Sequence, residues 1–157
     1  MDTQPSVIVV PADQDRWGSS MSESATDVWT KLSSQDTNGA WSAFESLVPK
    51  ELSIPLHFHH GEDEWFWVLS GQFLFEVGGQ RSLLTQGTSL FAPRKIPHRW
   101  KNVSGGLGRL LIIAQPAGRV EGFFVALAKL KPEQLTDFGL LESMFNEGGM
   151  QICGPPL

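Results

Sequence analysis

The sequence predicts an all-β fold with helices appended near its C-terminal end, and three observations carry that expectation. Short runs rich in Val, Ile, Leu, Phe and Trp alternate with Gly-, Asn- and Ser-rich turn signals over residues 27–115. The turns are short, and pairs such as Gly78-Gly79 allow the positive φ angles of tight hairpins, so neighbouring strands run antiparallel. After Pro116 the apolar residues change to the i, i+3, i+4 spacing of a helix. Many short antiparallel strands at this spacing point to a sandwich or a barrel.

The strands are expected at Asp27 to Ser33, Ala40 to Val48, Ile54 to His59, Trp65 to Leu69, Gln72 to Val77, Gln80 to Leu84, Ser89 to Ala92, His98 to Val103 and Leu107 to Gln115. Turn signals divide them at 35–39, 70–71, 78–79, 86–87 and 104–106. The stretch from Pro11 to Ala25, rich in Ser and Asp, reads as loop. Over 119–130, Val120, Phe123, Phe124, Leu127 and Leu130 share one helical face. Over 132–147, Leu135, Phe138, Leu141 and Phe145 repeat the pattern, with Pro132 suited to a first helical position. Both helices are expected to pack on the outside of the β structure.

At 157 residues the chain reads as one domain, large enough to bury a core without disulfides. The lone cysteine, Cys153, cannot form an internal bridge, excludes a cysteine-based zinc site, and reads as a small, partly buried hydrophobe. Net charge is −5 and the basic residues are scattered, so nucleic acid is not an expected partner. The first eleven residues, with an acid at position 2 and few apolar residues before Pro11, lack the pattern of a secretory leader or a membrane span. A cytoplasmic protein without membrane association is the resulting expectation.

Three of the four histidines fall at His57, His59 and His60, followed by Glu62, Asp63 and Glu64. A solvated polar loop is the plainer reading of such a stretch. Strand geometry offers another, because residues i and i+2 point to one face, so His57 and His59 present two imidazoles side by side. Glu64, beyond a turn at Gly61, is expected to bring a carboxylate to the same side from a neighbouring strand, and His98 opens a later one. Three imidazoles and a carboxylate would leave one or two positions of a five- or six-coordinate ion open. His60 must face away, and Glu62 and Asp63 read as solvated turn acids, either of which could hydrogen-bond a ligand imidazole.

These residues carry a family resemblance. His57-x-His59, four residues, Glu64, six residues and Gly71 reproduce the first cupin motif. Gly87, five residues, Pro93, one residue, Lys95, two residues, His98, three residues and Asn102 follow the second, with Lys95 where the family usually has glycine. The chain resembles small quercetin-dioxygenase-like cupins over a motif core of 54–115, with a C-terminal helical segment at 119–147. The resemblance implies a double-stranded β-helix, jelly-roll-like barrel spanning 1–157 as a single domain. It also implies one divalent transition metal (Fe, Mn, Ni, Cu, Co or Zn) held by His57, His59, Glu64 and His98, with Glu64 also acting as catalytic base.

Strand parity extends the reading to a pocket. With Glu64 inward, Phe66 and Val68 follow it and Trp65 and Trp67 face out; with His98 inward, Trp100 and Asn102 follow. Phe66 and Trp100 are therefore the candidate walls for a small-molecule substrate, and simple core packing is the competing reading for Phe66. The outward tryptophans need cover, from strands in 27–48 or from a second subunit, and the resemblance implies a homodimer. Three functions fit the ligand set: a dioxygenase acting on a small enolisable or aromatic compound, a non-redox cyclase, isomerase or lyase, and a ligand-binding module without turnover. Imidazole and carboxylate do not choose among the metals that would separate these.

Overall fold

The computed structural model describes residues 6–19 and 27–157. Ten strands and two helices follow in the order β1 (Asp27–Leu32), β2 (Ser42–Val48), β3 (Leu56–His59), β4 (Asp63–Ser70), β5 (Gln72–Val77), β6 (Gln80–Thr85), β7 (Ser89–Ala92), β8 (His98–Asn102), β9 (Gly108–Gln115), α1 (Val120–Leu127), α2 (Phe138–Glu147) and β10 (Met150–Gly154). A 3-10 turn over Pro132–Thr136 links the helices. Every strand expected from the sequence forms, with ends displaced by one or two residues. Residues 11–19 are turns as expected, whereas 20–25 of the expected loop and residues 1–5 lie outside the described residues.

The strands make two antiparallel five-stranded sheets, ordered β1-β2-β9-β4-β7 and β10-β3-β8-β5-β6. Neither closes into a barrel, which corrects the expected closed barrel. Alternating inward and outward residues decide which face of a strand is buried, not whether edge strands meet, so two facing open sheets satisfy the same pattern. Among the described residues, the edges β1 and β7 of one sheet have no ladder to the edges β10 and β6 of the other. The inner faces share a core that includes Phe44, Val48, Phe66, Phe73, Phe75 and Leu110. Burying six such side chains removes enough apolar surface from water to be worth about 9–18 kcal/mol before entropy is counted.

The C-terminal segment departs from expectation in two ways. The second expected helix is split: Asp137, extended at ψ 95, caps α2 by accepting the Leu140 N–H, and the residues before it make the 3-10 turn. The break puts Phe138 on the surface at 60% exposure rather than on the apolar face. The segment also continues into β10, which pairs Met150 with His59 and Ile152 with His57 along the edge of β3. The Gly- and Pro-rich sequence around 148–156 gives no strand signal; an open sheet edge supplies the partner. Cys153 lies on this strand and is exposed rather than partly buried.

Parity holds along β4 and β8. Glu64, Phe66 and Val68 are buried while Trp67 is 40% exposed, and His98, Trp100 and Asn102 are all buried. β1 and β2 do not cover the outward tryptophans, because they extend the same sheet sideways from β9. Among the described residues, no helix is long and apolar enough to cross a membrane.

Candidate metal centre

His57, His59, Glu64 and His98 come together as one buried cluster whose candidate ligand atoms all lie within 4.8 Å of one another. The register explains the meeting. His57 stands directly opposite His98 in the β3–β8 pair, and His59 is two residues along the same face of β3. Glu64 arrives from β4 in the facing sheet, not from a neighbouring strand as the sequence suggested, so the cluster spans the gap between the sheets. The four side chains are 1–4% exposed.

Backbone carbonyls fix two of the rings. His57 Nδ1 is 2.8 Å from Pro55 O and His98 Nδ1 is 3.3 Å from Ile96 O, leaving Nε2 on each as the nitrogen available for ligation. His98 Nε2 lies 3.0 Å from Glu64 Oε2, and His59 Nε2 lies 3.1 Å from the same oxygen. His59 is different from its neighbours: its Nε2 faces Glu64 and its Nδ1 faces Glu62 at 3.7 Å, but neither buried nitrogen makes a well-formed hydrogen bond among the described residues. A buried imidazole in that condition is costly, and a ligated cation would satisfy one nitrogen. The donor set of three imidazoles and one carboxylate suits a divalent transition metal.

The electrostatics are those of a packed cluster of titratable groups. Burial, followed by the neighbouring His98 and His59, pushes His57 well below its ordinary range. Burial also opposes protonation of His59, but the carboxylates of Glu64 and Glu62 on its two sides outweigh it and raise the ring to about 9. Burial raises Glu64, and the opposing pull of His59 and His98 is larger, holding the carboxylate far below its usual range. Without an ion the two carboxylates thus favour a protonated His59 between them, and a cation ligated at its Nε2 would have to displace that proton.

His57, His59 and Glu64 of the cluster form one wall of a cavity of about 130 Å³. Phe66 and Trp100 both line it, as parity suggested, and both also belong to the core: Phe66 packs on Phe75 at 5.1 Å and Trp100 on Phe73 at 5.8 Å between ring centroids. The cavity's roof was not foreseen from the sequence. Phe123, Phe124 and Leu127 of α1, with Leu141 and Phe145 of α2, face it, and Phe145 stands edge-on to His57 at 5.0 Å. The helices thus cap the site rather than simply backing the sheets. Their apolar faces were legible, but no local signal says that an apolar face will meet a cavity instead of a sheet. His60 is exposed. Asp63 pairs with Arg94 at 2.8 Å, whereas Glu62 is buried beside His59, correcting its reading as a solvated turn acid.

Residues 43–114 match the family model of the cupin domain. An uncharacterized protein, MJ1618 from Methanocaldococcus jannaschii, is 25% identical over 75 residues, which cover 48% of this chain and 60% of that protein. The chain thus matches about three fifths of that relative's length. TT1209 from Thermus thermophilus superposes with a TM-score of 0.53 at 24% identity, over 59% of this chain and 84% of that one. The polyketide cyclase RemF from Streptomyces resistomycificus gives a TM-score of 0.51 at 25% identity, over 58% of this chain and 65% of its own. The segment that matches the cupin domain contains all four members of the buried three-histidine, one-glutamate cluster, and the likeness to the solved structures is one of fold.

Proposed function

We propose that the chain is a metal-dependent cupin enzyme in which His57, His59, Glu64 and His98 hold one divalent transition ion, and that it acts as a dioxygenase on a small enolisable or aromatic compound. One observation carries the choice of substrate: among the described residues, the cavity lining beyond the cluster is apolar apart from Ser46 and Ser53, with no arginine or lysine. A phosphate or a dicarboxylate would find no side-chain cation there, whereas a mostly apolar compound with one acidic oxygen suits the lining. An ion bound in such a site supplies Lewis acidity and, where redox-active, the means to activate dioxygen. The chain's own residues do the rest: Phe66 and Trp100 press on the flat faces of the substrate, the helical cap excludes water, and the ionised Glu64 accepts the acidic proton. At about 130 Å³ the cavity is below the ~300–1,000 Å³ range typical of sites for drug-sized ligands, which favours a single-ring compound.

A second reading, non-redox cyclisation, draws on the likeness to a polyketide cyclase. Elemental analysis of the protein as isolated, followed by oxygen uptake with enolisable aromatic compounds on protein loaded separately with Fe, Mn, Ni, Co and Zn, decides between them. Oxygen consumption with a redox-active metal supports the dioxygenase. Turnover without oxygen uptake replaces it with the cyclase reading, and binding without turnover leaves a ligand-binding module. We also propose a cytoplasmic setting and a homodimer, for which the exposed Trp67 and Phe91 on the outer face of the first sheet are the supporting observation.

A further inference from the structure

Glu62 sits in the β3–β4 turn between two members of the cluster, yet it is only 5% exposed and reaches in two directions. Its Oε1 accepts the backbone N–H of Arg119 at 3.0 Å, at the residue that caps the start of α1. Its Oε2 has no hydrogen-bond partner among the described residues and lies 3.7 Å from His59 Nδ1, which also has none. That nitrogen is on the opposite side of the ring from the one facing Glu64. Gly118, at φ +52, lies against the same carboxylate, and a methyl group added there would overlap it. The helix that begins one residue beyond Arg119 carries Phe123, Phe124 and Leu127 into the roof of the cavity.

We propose that Glu62 is a positioning residue that couples the metal centre to the roof of the cavity; the inference rests on the reading of His59 as a metal ligand. With Nε2 given to the ion, His59 must carry its proton on Nδ1, where the Glu62 carboxylate is the available acceptor. An ion drawing electron density from the ring makes that N–H a better donor, so the 3.7 Å gap shortens to a hydrogen bond. The other oxygen of the same carboxylate holds the first amide of the α1 cap. Ion binding therefore firms the docking of α1, and by reciprocity a firmly docked α1 tightens ion binding by the same factor. No other carboxylate among the described residues joins a cluster histidine to the cap in this way.

The test uses the full chain with Zn(II) as probe, read by competition with a chromogenic chelator, by ¹⁵N chemical shifts of the histidine rings, and by hydrogen exchange of amides 119–127. In the wild-type chain Zn(II) should slow exchange over 119–127 and fix His59 as the Nδ1–H tautomer. Glu62→Gln presents an amide where the acceptor is needed, and should weaken Zn(II) binding about 10–100-fold and remove the zinc-dependent slowing. Gly118→Ala, which displaces the carboxylate without changing its chemistry, should act in the same direction. Glu62→Asp should recover part of the affinity. Zn(II) affinity within about threefold of wild type in both Glu62→Gln and Gly118→Ala, or slowing over 119–127 that survives in Glu62→Gln, overturns the proposal. His57→Ala separates the two levels: if it loses zinc while Glu62→Gln does not, the coupling fails and the metal centre stands. If neither it nor the wild type binds zinc, both fall.

Discussion

Lys95 occupies the left-handed region at φ +65, in the turn where the second cupin motif usually has glycine. Its backbone N–H donates to His59 O at 2.8 Å, so the turn is pinned to the metal strand and the conformation is imposed from outside. A side chain there costs about 1 kcal/mol or more, part of which glycine would return through its freer unfolded chain. Lys95→Gly is therefore expected to raise stability by up to about 1 kcal/mol, or ~2–4 °C in thermal unfolding. A lower melting temperature would show that the lysine side chain contributes more than the strain removes. Asn102, the last residue of that motif, is fully buried; its amide donates to Val48 O, Pro49 O and Gly106 O and its oxygen accepts from Ser104 N and Oγ. Asn102→Ala strands those groups and should cost about 2–4 kcal/mol in urea unfolding, and a loss under about 0.5 kcal/mol would mean that water replaces the amide. The three histidines behave differently: His57→Ala, His59→Ala and His98→Ala should each lose most bound metal by elemental analysis and stay folded by circular dichroism. Metal retained at full stoichiometry in the double His57/His59 variant would sink the assignment.

At the scale of elements, the roof and the second sheet have separate fastenings. α2 depends on its cap, where Asp137 Oδ1 accepts the Leu140 N–H at 3.0 Å, and Asp137→Ala should destabilise by about 1 kcal/mol. If α2 roofs the cavity as described, the same variant should speed exchange of the 138–147 amides before global unfolding. The second sheet is tied by Glu76 on β5, which accepts from Arg81 on β6 and Arg99 on β8, while Arg99 also donates to Pro155 O in the tail. The Arg81 hydrogen bond, opposed by burial and joined by Arg99, holds the Glu76 carboxylate below its ordinary value of 4.5. A carboxylate lowered on folding stabilises the folded state above pH 4.5, and that contribution is lost as the pH falls below 4.5 through the lowered value. Glu76→Gln should accordingly flatten the acid side of the melting-temperature profile while leaving the neutral range parallel to wild type. An unchanged acid slope would assign the acid sensitivity to other carboxylates.

For the whole molecule, the outer face of the β1-β2-β9-β4-β7 sheet exposes Trp67 at 40% and Phe91 at 57%, with Trp65 opposite Phe91 in the β4–β7 pair. The proposed homodimer covers this face, and Trp67→Lys combined with Phe91→Lys should give a monomer by sedimentation equilibrium; a monomeric wild type would end that part of the proposal. Which residues point inward is written locally, because a period of two along each strand fixes the face of His57, His59, Glu64, Phe66, His98 and Trp100 without reference to any partner. The strands themselves are local too, their boundaries marked by turn chemistry. Other features exist only in the folded chain. That Glu64 meets the histidines across two sheets, that the sheets stay open, that β10 forms on an edge, and that the helices roof the cavity all depend on pairings between residues far apart in the chain. Glu62 shows the physical reason most directly. Nothing beside it in the sequence distinguishes it from a solvated acid, and only the arrival of Arg119, from 57 positions away, buries it next to His59.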